Sequence, residues 1–256
     1  MDASNTTTPA RGMTIAFRIV AAIGGLLFTV PNIVFNAQSL ADSNGNGVHV
    51  VHNMAGLASF TFLGGIPMLL LAWRPRQVAL LRLVVATGLA TLIGALLSGV
   101  LLTSLLIPPV VAVVLVLLSP DRAEVFRLGS PAIILLALTF IAAIPLVIEA
   151  LQQADLQGGR TTGDPHIEMF HYAGMAITYL SLLLCGAIAA FPGRAVRSAR
   201  VLVGLGGAVL TATQLAKPHA LGSIDAIWAS AGLVLSVVYL AYGYVNAQPA
   251  GDGAAA

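Results

Sequence analysis

The chain has 256 residues, of which 58% are hydrophobic and 9% charged, with a mean hydropathy of +0.93. An average soluble domain carries about 25% charged residues, so 12 basic and 10 acidic side chains cannot coat a water-exposed surface of this size, and a soluble globular enzyme and a disordered chain are excluded. The net charge of +2, with arginines lying between apolar runs, also excludes a nucleic-acid binder despite a pI near 9.0.

What remains is an all-α, polytopic membrane bundle. A spanning helix needs about 20 mostly apolar residues, and eight segments qualify. The polar stretch Met1–Gly12 reads as a cytoplasmic disordered tail. The apolar run after it is too long for a cleavable signal peptide, and the sequon Asn5-Thr6-Thr7 is read as chance. Span one is 13–36, with Pro31, Asn32 and Asn36 in its second half. Asp42-Ser-Asn44-Gly-Asn46-Gly47 matches the start of a calcium loop, but its twelfth position is Asn53 where a bidentate glutamate is required. It reads as an Asn-Gly turn. Span two is 48–73, containing His49, His52 and Pro67.

Residues 78–119 form an apolar stretch of about 42 residues, roughly 63 Å as helix, twice the hydrocarbon thickness. Two crossings fit, at 78–98 and 101–119, the second containing Pro108 and Pro109. Then come 130–151 with Pro145 and Glu149, 166–191 with His166, Glu168, His171 and Cys185, 199–216, and 223–246. Residues 247–256 read as a second cytoplasmic disordered tail. Cys185, the one cysteine, sits in an apolar run and reads as a small hydrophobe.

The basic residues orient the spans. With the N-terminus inside, Arg11, Arg18, Arg74, Arg76, Arg82, Arg122, Arg127, Arg194, Arg197 and Arg200 are cytoplasmic, and only Arg160 and Lys217 lie outside. That bias places the chain in the plasma (inner) membrane with both termini cytoplasmic. A seven-span reading inverts the second half and destroys the bias.

The halves also repeat. Ala55-Gly56 matches Ala173-Gly174, Arg76 matches Arg194, Arg82 matches Arg200 and Gly88 matches Gly206, all 118 residues apart. An even number of spans per unit gives two parallel four-helix repeats, 13–119 and 130–246, about an axis along the membrane normal. Gly88, Gly94, Gly204, Gly206 and Gly207 place spans three and seven inside the bundle, where small residues let backbones approach.

All five histidines fall on the outer side: His49, His52, His166, His171 and His219. Glu149, Asp164, Glu168 and Asp225 accompany them. His49 and His52 share a helix face at i, i+3, and so do Glu168 and His171. A Glu-x-x-His pair projecting into a bundle is the geometry of di-metal carboxylate proteins. The expected metal ligands are therefore His49, His52, Glu168 and His171, with Glu149 as a further ligand or catalytic proton acceptor. Imidazole with carboxylate suits iron, zinc, copper or manganese.

Alternatively, His52 and His171 on facing helices serve as axial ligands of a b-type haem. Eight spans in two four-helix halves resembles haem A synthase, whose paired-helix histidines ligate haem. That resemblance implies further histidines on the fourth and eighth spans, and 101–119 and 223–246 contain none. A plainer reading leaves the histidines as polar residues at span ends, with His166 and His219 solvated in loops. Three function classes follow: metal- or haem-dependent redox or metal-assisted chemistry on a lipid-soluble or periplasmic substrate, a small-molecule transporter or channel, and a non-catalytic subunit of a membrane complex. The bilayer is a partner in all three, and a membrane-complex partner or a homo-oligomer fits the short loops.

Overall fold

A computed structural model of the chain describes residues 11–41, 47–159, 164–220 and 223–245, and every regular element among them is helical. The sequon, the C-terminal tail, Arg160 and most of the Asp42–Gly47 turn lie outside the described residues. The long helix α1 is Arg11–Ala41, so residues 11–12 of the expected tail are already helical. α2 (Gly47–Gly56) runs through a π-helical stretch, Leu57–Gly65, into α3 (Ile66–Trp73). α4 is Val78–Leu97, α5 Thr103–Leu118 and α6 Arg122–Val125. α7 is Ile133–Gly158, α8 Pro165–Glu168, α9 His171–Ala189, α10 Val196–Ala216 and α11 Ala226–Val245.

Seven described stretches are long and apolar enough to cross a membrane: Arg11–Gln38, His49–Trp73, Val78–Leu97, Ile133–Gly158, His171–Ala189, Val196–Ala216 and Ala226–Val245. The expected fourth span, 101–119, is the shorter α5, whose 16 residues reach about 24 Å. Its direction is fixed by Arg82 in the first turns of α4. The buried Arg82 guanidinium donates to the carbonyls of Glu124, Val125 and Arg127, beyond the far end of α5. α5 therefore returns to the end where α4 began. Arg82 also donates to Pro192 O, and Ala79 N–H to Arg194 O, so the turns following α5 and α9 are tied at one end. Arg194 pairs with Asp121 there.

Packing follows a regular pattern. α1 lies on α2–α3 and α7 on α9, while α4 pairs with α5 and α10 with α11. Across the middle, α4 packs on α9, and α10 on α2 and the π stretch. Close approach at these crossings depends on missing side chains. A Cβ on Gly94 would sit 2.6 Å from the Ile177 side chain and 3.2 Å from its backbone, and one on Gly206 would sit 3.1 Å from Ala58 O. At the centre Ser59 Oγ and Thr178 Oγ1 share a 3.0 Å hydrogen bond, and Thr178 also donates to Ala55 O.

The π stretch is set by Pro67 together with a contact from α4. Pro67 lacks the N–H that would close an α-helical bond to Leu63 O, and Thr87 of α4 donates to that carbonyl at 3.1 Å. Just before it, the Ile66 N–H bonds to Thr61 O, five residues back, which is π register. The outer helices α1, α7 and α11 expose rows of large apolar side chains, among them Ile19, Ile23, Ile141, Ile144 and Val234. Apolar patches of that extent belong against lipid.

Candidate metal centre

The histidines gather at the end of the bundle opposite the arginine turns. α2 starts at Gly47, which sets His49 and His52 on one face of its first turns. The opposing segment is built differently from a continuous span. Asp164 begins α8: its backbone carbonyl accepts the Ile167 and Glu168 N–H groups, and its carboxylate accepts the His166 N–H at 2.8 Å. Pro165 follows at the first helical position, where its missing N–H is harmless. The helix then breaks. Phe170 is left-handed (φ 58°, ψ 29°), and α9 restarts at His171.

A non-glycine residue in that region costs on the order of 1–3 kcal/mol and persists only where its surroundings hold it. Gln157 of α7 supplies the hold. Its Nε2 donates to Ile167 O at 2.9 Å and its Oε1 accepts the Ala173 N–H at 3.2 Å, bridging the break.

The break swings His166 into the group. Ring centroids of His49 lie 5.2 Å from His166 and 5.0 Å from His171. Those of His52 lie 5.4 Å and 5.1 Å from the same two, and His166 is 5.6 Å from His171. One ring nitrogen from each of His49, His166 and His171 lies within 4.8 Å of the others. His49 Nδ1, His166 Nε2 and His171 Nδ1 are buried without a hydrogen-bond partner. The other nitrogen of His166, Nδ1, lies 3.0 Å from the Asp164 carboxylate. Donation of Nδ1–H there fixes the tautomer that leaves Nε2 with a free lone pair, the support that carboxylates give to metal-ligating histidines. The His166 N–H holds the Asp164 carboxyl below its ordinary value, and the His166 ring and Tyr172 hydroxyl act in the same direction.

Two nitrogens bound 2.0–2.1 Å from a tetrahedral zinc ion are about 3.3 Å apart. Closing from 4.8 Å requires each ring to move by less than about 1 Å, within reach of side-chain rotation.

Of the expected ligands, His49, His52 and His171 meet here and Glu168 does not. It is exposed, because the break at Phe170 removes the continuous helix on which Glu168 and His171 would share a face. His166, at the start of the expected sixth span and left solvated in the plainer reading, takes its place beside His171. Glu149 lies two turns before Gln157 on α7 and lines a separate cavity. His219 is exposed beyond α10, and Asp225 caps α11 through the Ile227 N–H. Asn36 donates to Asn32 O and Asn53 O, tying α1 to α2 at the residue next to His52. Sequence reasoning gave no role to Gln157, which it placed beyond span five. The Asp164-Pro165 pair is the sequence signal for the helix start that the expected sixth span places at 166.

No known protein family, curated protein or solved structure matches the chain.

Proposed function

We propose that this chain is an integral membrane protein that binds one transition-metal ion through His49, His166 and His171, with the His52 ring packed beside these ligands, and uses it in redox or metal-assisted chemistry on a lipid-soluble or periplasmic substrate. The observation that carries this reading is the set of three buried, convergent ring nitrogens, one of them backed by a carboxylate. Unpartnered polar atoms in a buried site are costly, and a metal ion supplies the missing partner for all of them at once. An all-imidazole set suits zinc, copper or iron. Three protein ligands leave a position open for water or substrate, as in catalytic zinc sites.

The same packing favours a single ion over haem. Axial imidazoles point at each other through a macrocycle, whereas the His52 and His171 rings are stacked at 24° with two more imidazoles beside them.

The topology we infer has eight crossings in two parallel halves, with the arginine turns cytoplasmic and the histidines on the far side. The return of α5 to the starting end of α4 supports the eighth crossing. The packing pattern supports the repeat: α4 meets α9 as α10 meets α2 and the π stretch, as a two-fold relation of the halves requires.

The test is zinc binding by detergent-purified His166→Ala and His219→Ala variants. His166→Ala is expected to lose stoichiometric metal, and His219→Ala, outside the group, to keep it. Equal metal content in the two variants would overturn the reading.

A further inference from the structure

A second site lies between α7, α9, α10 and α11, built from residues the metal centre does not use. It is a cavity of about 130 Å³. Its walls are mostly apolar, with Leu146, Leu210, Ile224 and Trp228 among them. Polar groups interrupt them: Glu149, Tyr179 and Gln214 toward one end, and the hydroxyls of Thr139, Thr211 and Ser236, each bonded to a carbonyl of its own helix. Gln214 is 1% exposed; its Nε2 donates to Tyr179 Oη at 2.8 Å, and its Oε1 is buried without a partner. At the far end Tyr239 closes the floor, its hydroxyl engaged with Thr139 and with the carbonyls of Leu135 and Gly186. α7 and α11 touch sparsely, so the cavity faces the surrounding lipid between them.

A carboxyl and an unpartnered amide oxygen facing a mostly apolar cavity are unfavourable unless something donates to them. The size narrows what that is. An apolar cavity of about 150 Å³ accepts one benzene ring, so this one holds a single six-membered ring and little more. We propose that the cavity binds the ring head group of a lipid-soluble phenol or hydroquinone. A ring hydroxyl donates its one proton to either acceptor, the Glu149 carboxyl or Gln214 Oε1, its ring packs on Trp228 and the leucines, and its tail leaves between α7 and α11.

Trp228 makes the test direct, because Trp73 is the one other tryptophan. The Trp73→Phe protein in lipid nanodiscs, kept anaerobic, is titrated with decylhydroquinone and with its dimethyl ether while Trp228 fluorescence is read. The two probes share ring and tail and differ in the hydroxyl donors. Saturable quenching is expected with the hydroquinone, with the ether at least about tenfold weaker. Glu149→Leu and Gln214→Leu are each expected to weaken the hydroquinone and narrow the gap between probes. His166→Ala is expected to leave both titrations unchanged, which separates this inference from the metal reading. The comparison of probes on otherwise unaltered protein needs no folding-sensitive variant. Equal affinity for the two probes, or quenching that never saturates, would overturn the proposal.

Discussion

Replacing Asp164 by asparagine separates a carboxylate that supports a metal ligand from one that merely caps a helix. Asparagine has the same shape and its Oδ1 still accepts the His166 N–H, so α8 keeps its cap. What it loses is the charge 3.0 Å from His166 Nδ1. Removing such a partner weakens metal binding by about 10- to 100-fold. The Asp164 side chain is 31% exposed, so solvent screens part of its effect, and the expected loss is near the lower end, about tenfold. Asp225 provides the control, because it caps α11 in the same way, 2.8 Å from the Ile227 N–H, with no imidazole beside it. Competition for zinc against a chromophoric chelator reads both variants. Asp164→Asn is expected to shift the apparent affinity about tenfold and Asp225→Asn not at all. A shift shared by both variants, or absent from both, would refute the reasoning. The pH dependence has a defined sign. The folded carboxyl titrates below its ordinary value of 3.8, so its support for α8 is full above that pH. That support is lost as pH falls through the folded value, and Asp164→Asn should lack this acid-side drop in thermal stability.

Other consequences concern the frame. Arg82→Met strips the donors from four backbone carbonyls at the arginine end and should cost about 3–5 kcal/mol in denaturant unfolding, against less than about 0.5 for the exposed Arg76→Met. Gly94→Leu drives a side chain into Ile177 and should destabilise the α4–α9 crossing by about 1–3 kcal/mol, or more if the backbone must shift. Ala195, at φ 67°, should be replaced by glycine with a net gain of about 0.5–1 kcal/mol, read as a rise in melting temperature. Cys185, buried with its Sγ near Thr87 and Leu83 O, should resist a water-soluble maleimide until the protein is unfolded.

The helices and the two chemically distinct ends were legible because they rest on hydropathy and on where arginine and histidine fall. The turns tied by Arg82 are the turns that hold the basic residues. The glycines of spans three and seven do mark close crossings, at Gly94 and Gly206. The break before His171 was not legible. Met169-Phe170-His171 contains no glycine or proline, and Phe170 is left-handed because Gln157 of α7 grips the segments on either side. That is a tertiary contact, which a helical repeat cannot announce. For the same reason the i, i+3 spacing pairs Glu168 with His171, and a continuous span 166–191 gives no sign that His166 joins them. Pro67 and Gly64-Gly65 were visible, but the π register depends on Thr87, 20 residues beyond Pro67 and on another helix. α7 runs to Gly158, past the expected end at 151, because Gln153 and Gln157 are buried against the neighbouring helices rather than solvated.

The most direct test of the metal centre is elemental analysis with a visible spectrum on purified protein that has been reconstituted with zinc, copper or iron and then desalted. The account predicts one tightly held ion per chain for at least one of these metals, no Soret band, and loss of that ion in the His49→Ala, His166→Ala, His171→Ala triple variant. A reconstituted protein that keeps none of the three metals, or a triple variant that holds its ion as tightly as the parent, would contradict it.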